Sequence, residues 1–96
     1  MTNAKEEFID TVGGHKIKCA SILRYGQDYK LKTNHSQDAY STFIDSLDFV
    51  YDSGYGGQEL YGTIWCEDGT WFERGEYDGS EWWDYHKLPD IPQELK

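Results

Sequence analysis

The sequence has no apolar run long enough to span a membrane, and its opening Met1-Thr2-Asn3-Ala4-Lys5-Glu6-Glu7 is polar at once. That layout provides neither a transmembrane segment nor the charged-then-apolar order of a secretory signal, so a cytoplasmic location is expected. Cysteine is scarce: Cys19 and Cys66, far apart in sequence, allow one pair and no disulfide framework. Both thiols are expected to be free in a reducing compartment, packed as small hydrophobes. Cationic residues are also few, nine Lys/Arg against 18 Asp/Glu for a net charge of −9. Residues 1–48 carry six Lys/Arg against seven Asp/Glu, whereas residues 49–96 carry three against eleven, a balance of −8. Such a field repels nucleic acid and anionic membranes, so direct binding to either is not expected. It favours a basic protein partner, although solubility alone is a sufficient reason for an acidic surface.

Catalytic motifs are missing too. There is no Gly-x-Ser-x-Gly, and neither cysteine has an activating neighbourhood in the sequence. His15, His35 and His86 are scattered, none at ligand spacing from another His or a Cys. The acidic cluster Glu67, Asp68, Glu73, Glu76, Asp78, Glu81 and Asp84 does not follow the Asp-x-Asp-x-Asp-Gly order of a calcium loop. Paired catalytic carboxylates cannot be told from a solvated face by sequence. The glycine-rich stretch from Ser53 to Gln58 lacks a following Lys and opens no helix, so it is no phosphate cradle. No catalytic residue, metal site or cofactor is therefore expected, and the chain reads as a non-enzyme.

What the chain has is aromatic residues: four Trp, eight Tyr and four Phe. Their large buried areas can build a core in a chain short of Leu and Val, and 96 residues suffice for one domain, residues 1–96. Residues 2–12 read as a helix, capped by Thr2 or Asn3 and stopped by Gly13-Gly14, with Ala4, Phe8, Ile9 and Val12 as its apolar stripe. From His15 to Tyr25 the period switches to two, with Ile17, Cys19, Leu23 and Tyr25 on one face and Ala20 and Ile22 blurring the contrast. A three-residue turn, Gly26-Gln27-Asp28, sets Tyr25 opposite Tyr29 and Leu23 opposite Leu31 and buries that face. Residues 34–47 carry a second helix signal, with Ser36 as N-cap and Ala39, Tyr40, Phe43, Ile44 and Leu47 as its stripe. Phe49-Val50-Tyr51 alternates as a short strand.

A meander follows, with strands at 59–67, 70–77 and 81–87 separated by Asp68-Gly69 and Asp78-Gly79-Ser80. At the second turn a two-residue loop sets Glu76 opposite Glu81, two like charges, whereas a three-residue loop sets Arg74 opposite Asp84; the second is expected. Pro89 and Pro92 end the sheet, and Ile91 and Leu95 are expected to fold back onto the domain. The fold class is α+β, in the order α-β-β-α-β-β-β-β, an antiparallel sheet with helices on one face.

Adjacent Trp82 and Trp83 point to opposite faces of one strand, so at most one lies in the helix-facing core. The other needs cover or a partner, and an exposed Trp ringed by carboxylates has the character of an interface hot spot. Tyr55, on a glycine-flanked loop tip, is a good contact residue because few side-chain torsions must be fixed. The interface candidates are Tyr55, Trp71, Glu76, Asp78, Glu81 and Trp83.

The stretch Gly62-Thr63-Ile64-Trp65-Cys66-Glu67-Asp68-Gly69-Thr70-Trp71, continued by Arg74-Gly75-Glu76-Tyr77-Asp78-Gly79-Ser80-Glu81-Trp82-Trp83-Asp84-Tyr85-His86, resembles a C-terminal signature of small uncharacterised phage and prophage proteins. The segment from Tyr51 to Leu60 is similar too, so the resemblance covers the second half of the chain. It carries no established activity and no functional residues. What it implies is a genetic setting in which small acidic proteins often bind and block host proteins. The expected function is an acidic protein-binding module, an inhibitor or DNA mimic directed at a host nucleic-acid-handling protein, acting as a monomer or weak homodimer. The alternative is a small-ligand or carbohydrate-binding domain stacking its ligand on Trp71 and Trp83.

Overall fold

In the computed structural model, which describes residues 1–54 and 56–96, the α+β architecture is present in the expected order. The elements are β1 (Thr2–Asn3), α1 (Ala4–Val12), β2 (Ile17–Arg24), β3 (Gln27–Leu31), α2 (Gln37–Ser46), β4 (Val50–Tyr51), β5 (Tyr61–Cys66), β6 (Trp71–Tyr77) and β7 (Ser80–His86), then a 3-10 turn at Gln93–Leu95. Strands β3-β2-β5-β6-β7 form one antiparallel sheet, while β1 and β4 pair separately. No helix among the described residues is long and apolar enough to cross a membrane.

Helix α1 starts at Ala4 rather than Thr2, because Thr2 and Asn3 pair with Tyr51 and Val50. The Asn3 side chain accepts the Glu6 N–H at 3.0 Å, and Gly13 ends the helix at φ 50. Ser36 caps α2 as expected, accepting the Ala39 N–H at 3.0 Å. Both helices are short and gain their stability by docking. Ala4, Phe8 and Val12 of α1 and Phe43 and Ile44 of α2, with Leu47, Tyr51 and Leu60, pack on Ile17, Ala20, Ile22, Leu31, Ile64, Cys66 and Phe72 of the sheet. Ile9 and Ala39 fall outside this contact and are exposed.

Several sequence expectations are corrected. At the first meander turn the Cys66 N–H donates to Thr70 O at 2.9 Å, so the turn is Glu67-Asp68-Gly69 rather than Asp68-Gly69 alone. In β2 the register to β5 shifts between Ile17 and Cys19, a bulge that inverts the alternation. Ile17 faces the core before it and Ala20 and Ile22 after it, while Leu23 and Tyr25 turn outward. The β2–β3 hairpin consequently pairs Ala20 with Leu31 and Ile22 with Tyr29 around the two-residue turn Tyr25-Gly26, not the three-residue turn. Both turn residues have positive φ, 51 and 78, as a type I′ turn requires. At the β6–β7 hairpin the two-residue turn Asp78-Gly79 wins, with φ 52 and 87, and sets Glu76 opposite Glu81 and Arg74 opposite Trp83. The like-charge objection fails because Glu81 is buried against Arg74 while Glu76 is exposed and accepts the Gly79 N–H. Finally, Ile91 and Leu95 do not fold back: they are exposed, as is Leu88, and the tail leaves Trp82 uncovered.

Candidate functional site: an aromatic and acidic sheet face

Residues paired across antiparallel strands share a face, so the registers assign every sheet side chain. One row runs Cys19, Trp65, Trp71, His86; the next runs Ser21, Thr63, Glu73, Asp84; and Trp82 stands opposite Gly75. All lie on the face away from the helices. Trp65 is 43% exposed and Trp82 38%, Trp71 is half-buried, and Tyr61 and Tyr77 add exposed rings. Three of the four tryptophans therefore occupy the outer face.

The carboxylates on this face are fixed by the indoles. Trp71 Nε1 donates to Glu73 Oε1 at 2.9 Å and Trp82 Nε1 donates to Asp84 Oδ1 at 2.5 Å. The Trp71 ring stacks on His86, centroids 5.6 Å apart and planes 12° from parallel. Gly75 makes the Trp82 arrangement possible. A Cβ there would overlap Asp84 Oδ2 and come within 2.7 Å of Trp82 Nε1. The strand thus presents bare backbone beside the indole, whose N–H holds a carboxylate.

The candidates named from sequence divide accordingly. Trp71 belongs to the outer face; Glu76 and Asp78 are exposed near and in the β6–β7 turn. Trp83 is turned inward, packing edge-on against Phe8 at 6.5 Å and under the Arg74 guanidinium at 4.9 Å. The outward member of the Trp82–Trp83 pair is Trp82. Glu81 is also interior, 5% exposed, which removes it from any carboxylate rim. The other six members of the acidic cluster are exposed. Tyr55 lies outside the described residues.

Glu81 instead organises a buried polar network. It accepts the Glu59 N–H at 2.7 Å, the Leu60 N–H at 3.0 Å and Arg74 Nη2 at 2.5 Å, and its own N–H donates to Ser53 O at 2.8 Å. Arg74 also donates to Glu7 at 3.2 Å and to the Tyr51 hydroxyl at 3.0 Å, and Tyr51 donates to Glu7. Burial, then the bond to Glu7, pushes the Tyr51 hydroxyl well above the usual tyrosine range. The Arg74 side chain is 1% exposed and that of Glu81 fully buried, so no solute reaches them, and their role is to hold the 52–60 loop to the sheet.

Glu59 closes that loop from the other side. Its carboxylate accepts the Tyr25 hydroxyl at 2.7 Å, Arg24 Nη2 at 3.3 Å and the Asp52 N–H at 3.1 Å. The Tyr25 bond above all, opposed by desolvation and aided by Asp52 and Arg24, lowers the Glu59 pKa below the ordinary glutamate value. A lowered folded-state value means that Glu59 stabilises the fold fully above the ordinary range, about 4.3, and loses that contribution as pH falls through the folded value. Glu59→Gln is expected to flatten the acid limb of stability against pH, read as urea midpoints from pH 6 downward, roughly across the carboxylate range. An acid limb as steep as that of the wild type would contradict the assignment.

Comparison with protein-family models, curated proteins and solved structures finds no match to this chain.

Proposed function

We propose that the chain is a non-enzymatic protein-binding module whose outer sheet face receives a basic segment of a partner protein. The observation that carries this reading is the coincidence, on one sheet face, of Trp65, Trp71 and Trp82 with Glu73 and Asp84 held at the indole edges. Cations are attracted to indole faces, and a neighbouring carboxylate adds directional charge; Arg side chains exploit both. The −8 balance of residues 49–96 steers a basic partner towards this half of the chain. Exposed Glu76 and Asp78 extend the acidic surface beyond the aromatic rows.

The finer reading is an inhibitor or DNA mimic of a nucleic-acid-handling host protein in a phage or prophage setting. Carboxylates along two hairpins and the resemblance of residues 51–86 to small phage proteins support it. The burial of Glu81 shortens the row of charges, so a mimic relies on Glu67, Asp68, Glu73, Glu76, Asp78 and Asp84. A pull-down from bacterial lysate in modest salt should recover a basic protein. Trp71→Ala with Trp82→Ala should weaken that complex by about 2 kcal/mol or more, the scale of interface hot spots. Glu73→Gln with Asp84→Asn should flatten its salt dependence. Unchanged affinity in both double variants would sink the proposal.

A carbohydrate-binding reading is favoured by one observation, the cross-strand row of Trp65, Trp71 and His86, in which the Trp71 and His86 rings stack. Trp83, turned inward, contributes no platform. A salt-insensitive tryptophan-fluorescence response to a single sugar would select this reading over the first.

A further inference from the structure

Away from the tryptophan rows, the turn after β5 meets the segment between α1 and β2. Ile17 pairs with Cys66, and the Glu67 N–H donates to Lys16 O at 2.8 Å, fastening the two segments together. This brings His15, Cys66 and Asp68 into one cluster, with a nitrogen, a sulfur and an oxygen donor all within 4.8 Å of one another. Among the described residues no other group of three such side chains converges in this way.

The geometry points to a divalent transition-metal site of the zinc class, in which an imidazole nitrogen of His15, Sγ of Cys66 and a carboxylate oxygen of Asp68 are the ligands. Mixed N, S and O donors suit a borderline cation such as Zn²⁺ and do not suit Mg²⁺ or Ca²⁺, which take oxygen alone. Bond lengths of about 2.0–2.3 Å to a central ion place neighbouring ligand atoms roughly 3–4 Å apart in a tetrahedron. His15 Nδ1 and Asp68 Oδ2 are 3.6 Å apart, close to that spacing and longer than a good hydrogen bond.

The donors are also held in place by neighbours that do not compete for the ion. Asp68 Oδ1 is occupied by the Thr70 N–H at 3.0 Å and the Thr70 hydroxyl at 2.5 Å, which leaves Oδ2 directed at His15. The His15 ring is fixed edge-on against Phe72 and beside Tyr85, each at 5.5 Å. A hydrogen-bonded outer partner, as Thr70 is to Asp68, is characteristic of metal ligands. A cleft of 420 Å³, lined by Gly14, His15, Lys16, Glu67 and Asp68, leads from solvent to the cluster. A second of 240 Å³ is lined by Lys18, Cys19, Trp65, Cys66, Gly69 and Thr70. Three protein ligands beside an open cleft leave a fourth position for water. On binding, the thiol proton of Cys66 is released to solvent and the thiolate–metal bond forms; nothing is oxidised or reduced.

Titrating the purified full chain with Co²⁺ tests the site, because a bound thiolate gives a sulfur-to-cobalt charge-transfer band and tetrahedral coordination gives intense d–d bands. One equivalent is expected to bind with both signatures, and Zn²⁺ should displace it and raise the melting temperature. Cys66→Ser should abolish the charge-transfer band, and Cys19→Ser should leave it intact. Cys66 is buried and its variant could unfold, so His15→Gln and Asp68→Asn, at more exposed positions, supply the second test. Each should weaken Co²⁺ binding at least about tenfold, the lower end of what even outer partners contribute. Absence of the band in the wild type, its loss in Cys19→Ser, or wild-type affinity in either His15→Gln or Asp68→Asn would overturn the assignment.

Discussion

Gly62→Ala is expected to destabilise the protein by about 3 kcal/mol or more, a loss large against the ~5–15 kcal/mol that holds a domain together. Gly62 sits on β5 at φ +150, a region costly for any residue with a side chain. A Cβ there would also run into the Ser21 carbonyl oxygen, with the Ile22 Cα at 3.0 Å. Those neighbours are backbone of β2, so relief requires separating two central strands rather than turning a side chain. Gly14→Ala is the control: a Cβ there meets nothing within 4 Å, and its effect should stay within about 0.5 kcal/mol. Urea unfolding followed by tryptophan fluorescence measures both. Equal midpoints for the two variants would show that β2 and β5 do not approach as described.

Arg74→Met is expected to cost about 3–5 kcal/mol, because removing one member of a buried ionic network leaves its partners uncompensated. Here the stranded groups are Glu81, fully buried, and Glu7, 18% exposed at its side chain. The loss should also loosen the 52–60 loop, which Glu81 holds through the Glu59 and Leu60 amides. Combining Arg74→Met with Glu81→Gln should cost less than the sum of the single effects, with a coupling of about 1–3 kcal/mol. Additive effects would mean that Arg74 and Glu81 do not act as a pair.

The parts of this fold that were legible in the sequence are those governed by local chemistry. Asn3 and Ser36 cap the helices, Gly13 stops the first, and the Asp-Gly pairs mark the two turns of the meander, as their side chains and backbone freedom dictate. The registers were not legible, for two separate reasons. The bulge between Ile17 and Cys19 reverses the inward set of β2, and no local signal marks it, so plain alternation buries Leu23 and Tyr25 in place of Ala20 and Ile22. At the second meander turn, the like-charge penalty between Glu76 and Glu81 holds only when both carboxylates face water. Glu81 instead meets Arg74 and two backbone amides, partners that only the tertiary structure supplies.

The candidate face follows the same division. Alternation alone separates Trp82 from Trp83, but choosing the outward one depends on the register that seats Trp83 beside Phe8 and Arg74. Nothing in the sequence marks Trp65 as a surface residue, because its strand carries apolar neighbours on both sides, Ile64 and Cys66. Gly75, unremarkable in the sequence, is the position whose lack of a side chain lets the Trp82 indole reach Asp84. The His15, Cys66 and Asp68 cluster was invisible for a simpler reason, since His15 lies far along the chain from the other two.

The most direct measurement on the contact face uses the four indole N–H resonances while an arginine-rich peptide is titrated into the ¹⁵N-labelled chain at low salt. The Trp65, Trp71 and Trp82 signals are expected to shift together and saturably, Trp83 to stay in place, and Glu73→Gln with Asp84→Asn to suppress the response. Shifts spread over the whole acidic surface with the three indoles unmoved, or a response led by Trp83, would contradict it.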